Sequence, residues 1–92
     1  MIRVKDAGKG KYEVTVAQRT TTVHTVSVSP EYYQALSGGR ISSERLIEMS
    51  FAFLLERESN TSILSSFDLP VIGRYFPEYE RTIKSHIAGL SD

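Results

Sequence analysis

The chain has 92 residues, no cysteine, and eleven basic side chains balanced by eleven acidic ones. This length suits one domain with a single hydrophobic core and is too short for a core plus a large buried cleft. The hydrophobic fraction of 40% and the charged fraction of 24% are typical of a globular protein. The absence of cysteine excludes disulfides, thiolate nucleophiles and sulfur-ligated zinc sites. We predict one α+β domain over residues 1–92, with a β part at 1–29 and a helical part at 30–92.

The β part predicts a three-stranded antiparallel meander. Ile2 and Val4 alternate with basic residues, and a second alternation of apolar and polar residues runs over 12–17. The glycines at 6–10 favour a hairpin turn between these strands, because glycine accepts a positive φ. The β-branched residues at 20–29 predict the third strand. One face of that strand carries His24, Val26 and Val28, and the other carries Val23, Thr25 and Ser27.

A short helix is predicted from Pro30 to Leu36. Ser29 is a good N-cap residue, and Pro30 fits the first helical position because its missing N–H has no partner there. Ser37 and the glycine pair after it are typical of a helix end, where a residue adopts the left-handed conformation.

The longest predicted helix spans Ser42 to Glu58 and organises the fold. Its apolar side chains cover roughly two thirds of the helical circumference, which is more than one buried face requires. The helix is therefore either sandwiched between the sheet and the C-terminal helices or shared with a second subunit. The second alternative makes the chain a homodimer through this helix, and the predicted dimer or partner interface consists of Ile47, Phe51, Phe53, Leu54 and Leu55.

Two to three short helices are predicted after the central helix. A single helical turn is expected at 62–67, and Asp68 is expected to cap a further helix. Pro77 predicts a break, since the residue before a proline is pushed away from the helical region. The last segment then carries an amphipathic stripe at spacings of three and four, formed by Phe76, Tyr79, Ile83, Ile87 and Leu90.

The sequence contains no recognisable catalytic, metal or cofactor motif. Its two histidines, His24 and His86, are far apart, and no cysteine or patterned carboxylate accompanies them. No serine lies in a GxSxG motif. We therefore predict a protein without enzymatic activity, metal or cofactor.

Charge is distributed unevenly despite the net balance. Residues 1–29 hold five basic and two acidic side chains, whereas residues 30–92 hold six basic and nine acidic ones. A basic strand region is one feature of nucleic-acid binders. The side chains predicted to contact nucleic acid in that case are Lys11, Arg19, Thr21, Thr22, His24 and Thr25.

Residues 22–58, TVHTVSVSPEYYQALSGGRISSERLIEMSFAFLLERE, resemble the ribbon-helix-helix family of DNA-binding dimers and antitoxins. The resemblance rests on the order of a strand, a Ser-Pro-Glu helix, glycine and a Ser-x-x-x-Leu-Ile helix. It implies that Thr21, Val23 and Thr25, or alternatively Thr22 and His24, face DNA, and that Ser42 or Ser43 meets a phosphate. The later stretch ESNTSILSSFDLPVIGRYFPEYE resembles the tails of small bacterial proteins, a likeness that implies no activity.

The segment at 1–13 has no apolar signal region, and the apolar run at 49–55 is shorter than the roughly 20 residues of a membrane span. We therefore expect a cytoplasmic protein that does not enter a membrane. The leading functional hypothesis is a small non-enzymatic protein-interaction module that binds itself or another protein. The alternative hypothesis is a ribbon-helix-helix-like DNA-binding regulator or antitoxin.

Overall fold

The computed structural model describes residues 1–90, and the last two residues of the predicted domain lie outside the described residues. Its secondary structure consists, in chain order, of β1 (Ile2–Gly8), β2 (Lys11–Ala17), β3 (Thr21–Ser27), α1 (Pro30–Ser37), α2 (Ser43–Leu55), a 3-10 turn (Asn60–Ser62), β4 (Ser66–Asp68), a second 3-10 turn (Leu69–Val71), α3 (Ile72–Tyr75) and α4 (Tyr79–Gly89). No helix within 1–90 combines the length and apolarity that crossing a membrane requires.

The N-terminal strands form the predicted antiparallel meander. β1 pairs with β2 in a register that places Val4 opposite Val14, and β2 pairs with β3. The hairpin loop between β1 and β2 has two residues, Lys9 at φ 55° and Gly10 at φ 75°. Positive φ at both central residues is the turn geometry whose twist matches that of the flanking strands. The predicted α+β class and the three-stranded meander are therefore confirmed.

A fourth strand corrects the prediction of a helical turn at 62–67. β4 lies beside β3 in parallel, with Ser66 opposite Thr25 and Asp68 opposite Ser27, so the sheet order is β1-β2-β3-β4. The region at 30–92 is consequently not purely helical. A three-residue strand has too few residues to display the alternation from which strands are predicted.

The caps of the first two helices explain where they begin. The Ser29 side chain accepts a hydrogen bond from Tyr32 N before α1, and Ser42 accepts one from Arg45 N before α2. α1 ends at Gly38, which has φ 63° in the left-handed region. α2 has 13 residues and ends at Leu55, so it is shorter than the predicted Ser42 to Glu58 helix.

α2 is sandwiched between the sheet and α4, the first of the two predicted alternatives. On the sheet side, the Phe51 ring lies 5.4 Å from the His24 ring and 6.0 Å from the Phe67 ring. On the other side, the Ser50 hydroxyl lies 2.6 Å from the Tyr79 hydroxyl of α4. The apolar side chains of α2 thus point in two directions because two layers cover them.

The C-terminal helices close the core as predicted. The chain breaks at Phe76, which is extended at φ −131° before Pro77, and α4 begins two residues after the proline. Tyr79, Ile83 and Ile87 of the predicted stripe are buried, whereas Leu90 remains 54% exposed.

Candidate functional site

The predicted interface on α2 is buried within one chain. Ile47, Phe51, Phe53 and Leu54 are each no more than 4% exposed, and Leu55 is half-buried. Burying such a side chain contributes about 1.5–3 kcal/mol, so exposing them to form a dimer would cost more than a small interface returns. Four of the five side chains predicted at the interface thus belong to the core of the folded chain, and Leu55 packs against that core.

An open apolar groove lies at the C-terminal end of α2. It has a volume of about 190 Å³. For comparison, a cavity of about 150 Å³ lined by aliphatic and aromatic side chains binds a benzene ring. The groove is therefore wide enough for one aromatic side chain. Its lining consists of Leu54, Glu58, Ser62, Ile63, Leu64, Phe67, Val71, Ile72, Tyr75 and Phe76.

Two apolar side chains at this groove are left in solvent. Tyr75, the last residue of α3, is 67% exposed, and Leu64 is 47% exposed. They stand out because most large apolar side chains of the described chain are buried or half-buried. Exposed apolar side chains grouped around a concavity are typical of protein interaction sites.

One acidic side chain lines the groove. Glu58 is half-buried there, and its carboxylate forms no hydrogen bond or ion pair within residues 1–90. Arg74, the residue before Tyr75, is exposed and likewise forms no ion pair with the described residues. A partly buried glutamate is stabilised by a cation, and none of the other residues in 1–90 supplies one to Glu58.

A buried polar network fixes the loop that forms one wall of the groove. Asn60 is 3% exposed and donates to Thr20 O at 2.7 Å and to Thr22 Oγ1 at 3.0 Å. His24 Nδ1 lies 2.8 Å from Leu64 O. These bonds attach the segment after α2 to β3, because buried polar groups require partners. Leu64 is thereby held at the groove by its backbone while its side chain stays outside.

The face of the sheet opposite the helices is open, and three of the six predicted nucleic-acid contacts lie there. Lys11, Thr21 and Thr25 are exposed on this face, and Arg19 is exposed in the turn before β3. Exposed Val23 belongs to the same face. The strand pairing places Thr21, Val23 and Thr25 in one outward row.

His24 and Thr22, which are also among the predicted nucleic-acid contacts, face the core. His24 is 2% exposed, its Nε2 lies 2.9 Å from Thr22 Oγ1, and its ring packs on Phe51. Both side chains serve the network that holds the loop after α2. The alternation in β3 does not show which face is exposed, because each face carries polar side chains: Thr22 and His24 on one, Thr21 and Thr25 on the other.

The perturbed titratable groups have structural partners. Burial raises the pKa of the Tyr79 hydroxyl, which lies beside Ser50, and burial also raises that of Tyr32, whose hydroxyl donates to Glu80 at 2.7 Å. A hydrogen bond from the backbone lowers the pKa of Glu78, and Arg57 lowers it further. Within 1–90 no three histidine or carboxylate side chains are grouped as metal ligands would be.

Comparison with known proteins adds no relative: neither a family model nor a curated protein nor a solved structure matches the chain. The functional interpretation therefore rests on the geometry of the groove and of the open sheet face.

The sequence did not point to Leu64, Tyr75 or Glu58. Leu64 and Tyr75 occur in short segments without a sustained period, so their exposure depends on how β4 and α3 meet. An isolated charged residue such as Glu58 is ordinarily solvated, and its lack of a partner is visible only after folding.

Proposed function

We propose that this protein is a small non-enzymatic interaction module and that it forms a homodimer through the apolar groove at the end of α2. The observation that carries this proposal is the pairing of a ring-sized groove with an exposed aromatic side chain, Tyr75, on its own rim. Tyrosine and arginine are the side chains that most often dominate binding energy at interfaces. Tyr75 and its neighbour Arg74 supply both.

A two-fold contact suits this surface because each copy carries both an exposed aromatic side chain and a groove that can receive one. In a two-fold dimer the same patch meets itself, so a residue of one copy contacts a different residue of the other, and the reverse. Tyr75 of one copy would enter the groove of its partner. Arg74 would then pair with the unpartnered carboxylate of Glu58 across the interface, in a setting partly removed from water.

Charge exchange between Arg74 and Glu58 tests this proposal. We expect Arg74→Glu and Glu58→Arg each to weaken the dimer, because each places like charges together. The double variant restores the opposite pair with its order reversed, so it should recover much of the association. Light scattering after gel filtration, over a dilution series, measures the mass of all four proteins.

The control is Arg81→Glu, which reverses an exposed charge on α4, away from the groove. It should leave the association unchanged. A double variant no more dimeric than the weaker single variant would contradict the Arg74–Glu58 contact, and a native chain that stays monomeric at every concentration would contradict the dimer itself.

The open sheet face supports a second candidate function, binding to nucleic acid. It carries the exposed basic residues Arg3, Lys5 and Lys11 with Arg19 in the adjacent turn, against the carboxylates of Glu13 on β2 and Asp68 on β4. Cations in a flat row can contact successive phosphates, while threonines between them offer hydroxyl donors.

Retention of duplex DNA at low salt tests this second candidate. We expect binding that weakens steeply as salt is added, because each phosphate contact releases counterions. Replacing Lys11 and Arg19 together by glutamate should abolish it, and the same replacement at Arg81 and Lys84 of α4 is the matched control. Equal retention of both double variants would show that the sheet face is not the binding surface.

A further inference from the structure

The outer edge of β1 is a second surface without a partner, separate from the groove. β1 pairs with β2 on one side only, since it is the first strand in the sheet order. Met1 and Ala17 exchange backbone hydrogen bonds of 2.9 Å in both directions. Because such pairs alternate along an antiparallel ladder, the backbone N–H and C=O groups of Ile2, Val4 and Asp6 point away from β2.

These outward groups have no partner among residues 1–90. None of the three amides donates a hydrogen bond to another of the residues 1–90. The edge ends at Gly8, whose N–H is held at 2.7 Å by the Asp6 carboxylate. A strand of seven residues with free backbone groups and no proline can accept another strand.

The side chains along this edge define what that strand must carry. On the open sheet face, Arg3 and Lys5 are exposed two residues apart, and only Lys5 has an acidic residue, Glu13, opposite it in β2. An added strand would place every second side chain beside these cations. Acidic residues at those positions would be favoured, since opposite charges on neighbouring strands stabilise a sheet.

The opposite face of the edge is bordered by α2. Ile2 shares an open cleft with Met49 and Ala52, and Val4 lies in a smaller one beside the ion pair of Arg45 and Glu48. The alternate side chains of an added strand would rest on this mixed but partly apolar floor, so apolar residues are favoured there.

A second copy of the chain does not fit this edge. Antiparallel pairing of β1 with its own copy would set Arg3 and Lys5 of both copies side by side on the same face. Like charges at opposed positions destabilise a strand pair. The self-association proposed above therefore uses a different surface.

We propose that the β1 edge binds an extended segment of another protein in which acidic and apolar residues alternate. The segment adds a fifth strand to the sheet, runs antiparallel to β1, and bonds to the backbone of Ile2, Val4 and Asp6. Its carboxylates lie beside Arg3 and Lys5, and its apolar side chains face α2.

A synthetic peptide of about seven residues, the length of an ordinary strand, in which glutamate and valine alternate, is the probe. We expect its titration into the isotopically labelled chain to shift the amide signals of Ile2, Val4 and Asp6 first. A peptide in which lysine replaces glutamate should bind more weakly. Shifts confined to the groove or to α4 would overturn the proposal.

Charge reversal at Arg3 and Lys5 tests recognition without changing the backbone. Both side chains are exposed, so Arg3→Glu with Lys5→Glu should leave the chain folded at a small cost in stability, because the new carboxylate at position 5 lies opposite Glu13. It should weaken the glutamate peptide by about tenfold, as expected for two exposed charge pairs, and make the lysine peptide the better ligand. Arg81→Glu with Lys84→Glu should change neither affinity. Equal affinity for the two peptides in the native chain would overturn the proposed charge recognition.

Val4→Pro tests the backbone contribution independently. It removes an outward N–H and leaves the hydrogen bonds between β1 and β2 in place, because proline is tolerated at the outer side of an edge strand. We expect loss of peptide binding. Binding of native strength by this variant would show that the peptide does not add to the sheet. If Val4→Pro unfolds, native-strength binding of the glutamate peptide by the charge-reversed variant overturns the proposed recognition by Arg3 and Lys5.

Discussion

The apolar surface along α2 and the apolar groove at its end have similar side chains, but the chain covers the first and leaves the second partly exposed. Along α2, Phe51 is covered by the sheet, while Ser50 and Phe53 are covered by α4. At the groove, Tyr75 and Leu64 remain 67% and 47% exposed beside an open apolar concavity. Apolar content thus identifies the core, whereas incomplete coverage after folding identifies the surface that we propose binds a second copy.

The largest expected difference between the two regions is in the free energy of unfolding. Phe51→Ala removes a fully buried ring, so we expect a loss of about 3–5 kcal/mol. Tyr75→Ala removes a ring that is mostly in solvent, so the folded monomer should change by less than about 0.5 kcal/mol. Urea denaturation at a dilution that dissociates any dimer measures both. Similar losses of unfolding free energy in the two variants would contradict the distinction between a covered α2 surface and an exposed groove.

The covered side of α2 can be tested through its buried hydroxyl pair. Ser50→Ala leaves the Tyr79 hydroxyl without its partner, and an unsatisfied buried polar group costs about 1–3 kcal/mol. Adding Tyr79→Phe removes the unpaired hydroxyl and should recover part of the lost free energy of unfolding. Thermal or urea unfolding of the two single variants and the double variant measures the coupling. Strictly additive losses would contradict an interaction between the two hydroxyls.

Arg57 lies two residues after α2, between the covered Phe53 and the groove-lining Glu58 in the chain. Its guanidinium carbon lies 3.6 Å from the centroid of the Phe53 ring, and its Nε lies 3.2 Å from Glu78. A partly exposed cation on an aromatic ring contributes about 0.5–1 kcal/mol, so Arg57→Ala should destabilise the chain by roughly that amount. Arg81→Ala, at an exposed position on α4, is the control in the same unfolding experiment. Equal stability of both variants would indicate that the ring contact contributes nothing.

The smallest expected effect is on pH dependence at the contact between Arg57 and Glu78. The pKa of Glu78 is lowered first by a backbone hydrogen bond and then by Arg57. A lowered pKa stabilises the fold above the ordinary glutamate range, and that contribution is lost as the pH falls through the folded-state value. NMR titration should place the midpoint of Glu78 below that of a free glutamate. In Arg57→Ala it should rise only partly, because the backbone bond remains; a full return would reverse the order of the two causes.

The parts of the fold that sequence patterns predicted are those in which local chemistry repeats. Alternation identified β1 to β3, Ser29 and Ser42 marked helix starts, and Pro77 marked a break. β4 was missed because three residues show no period, and its parallel pairing with β3 joins residues about 40 positions apart. The extent of the central helix was overestimated because Glu56–Glu58 are acceptable helix residues that happen to lie beyond its end.

The site was less accessible to sequence reasoning than the fold. The breadth of the apolar stripe on α2 correctly indicated two covering layers as one alternative, but it could not decide whether the second layer came from the same chain. The sequence pattern alone does not decide which face of β3 points to solvent, whereas the bonds of His24 to Leu64 O and of Thr22 to Asn60 hold both side chains on the core side. Exposure at Tyr75 depends on the meeting of distant segments, which no local pattern encodes.

The most direct test of the groove as the self-association surface is sedimentation equilibrium of the native chain beside two matched variants. Leu64→Ala removes an apolar side chain at the groove that is 47% exposed, and Leu90→Ala removes one of similar exposure at the end of α4. We expect a concentration-dependent dimer for the native chain and for Leu90→Ala, and a weaker one for Leu64→Ala. A native chain that sediments as a monomer, or a dimer weakened by Leu90→Ala and not by Leu64→Ala, would contradict this account.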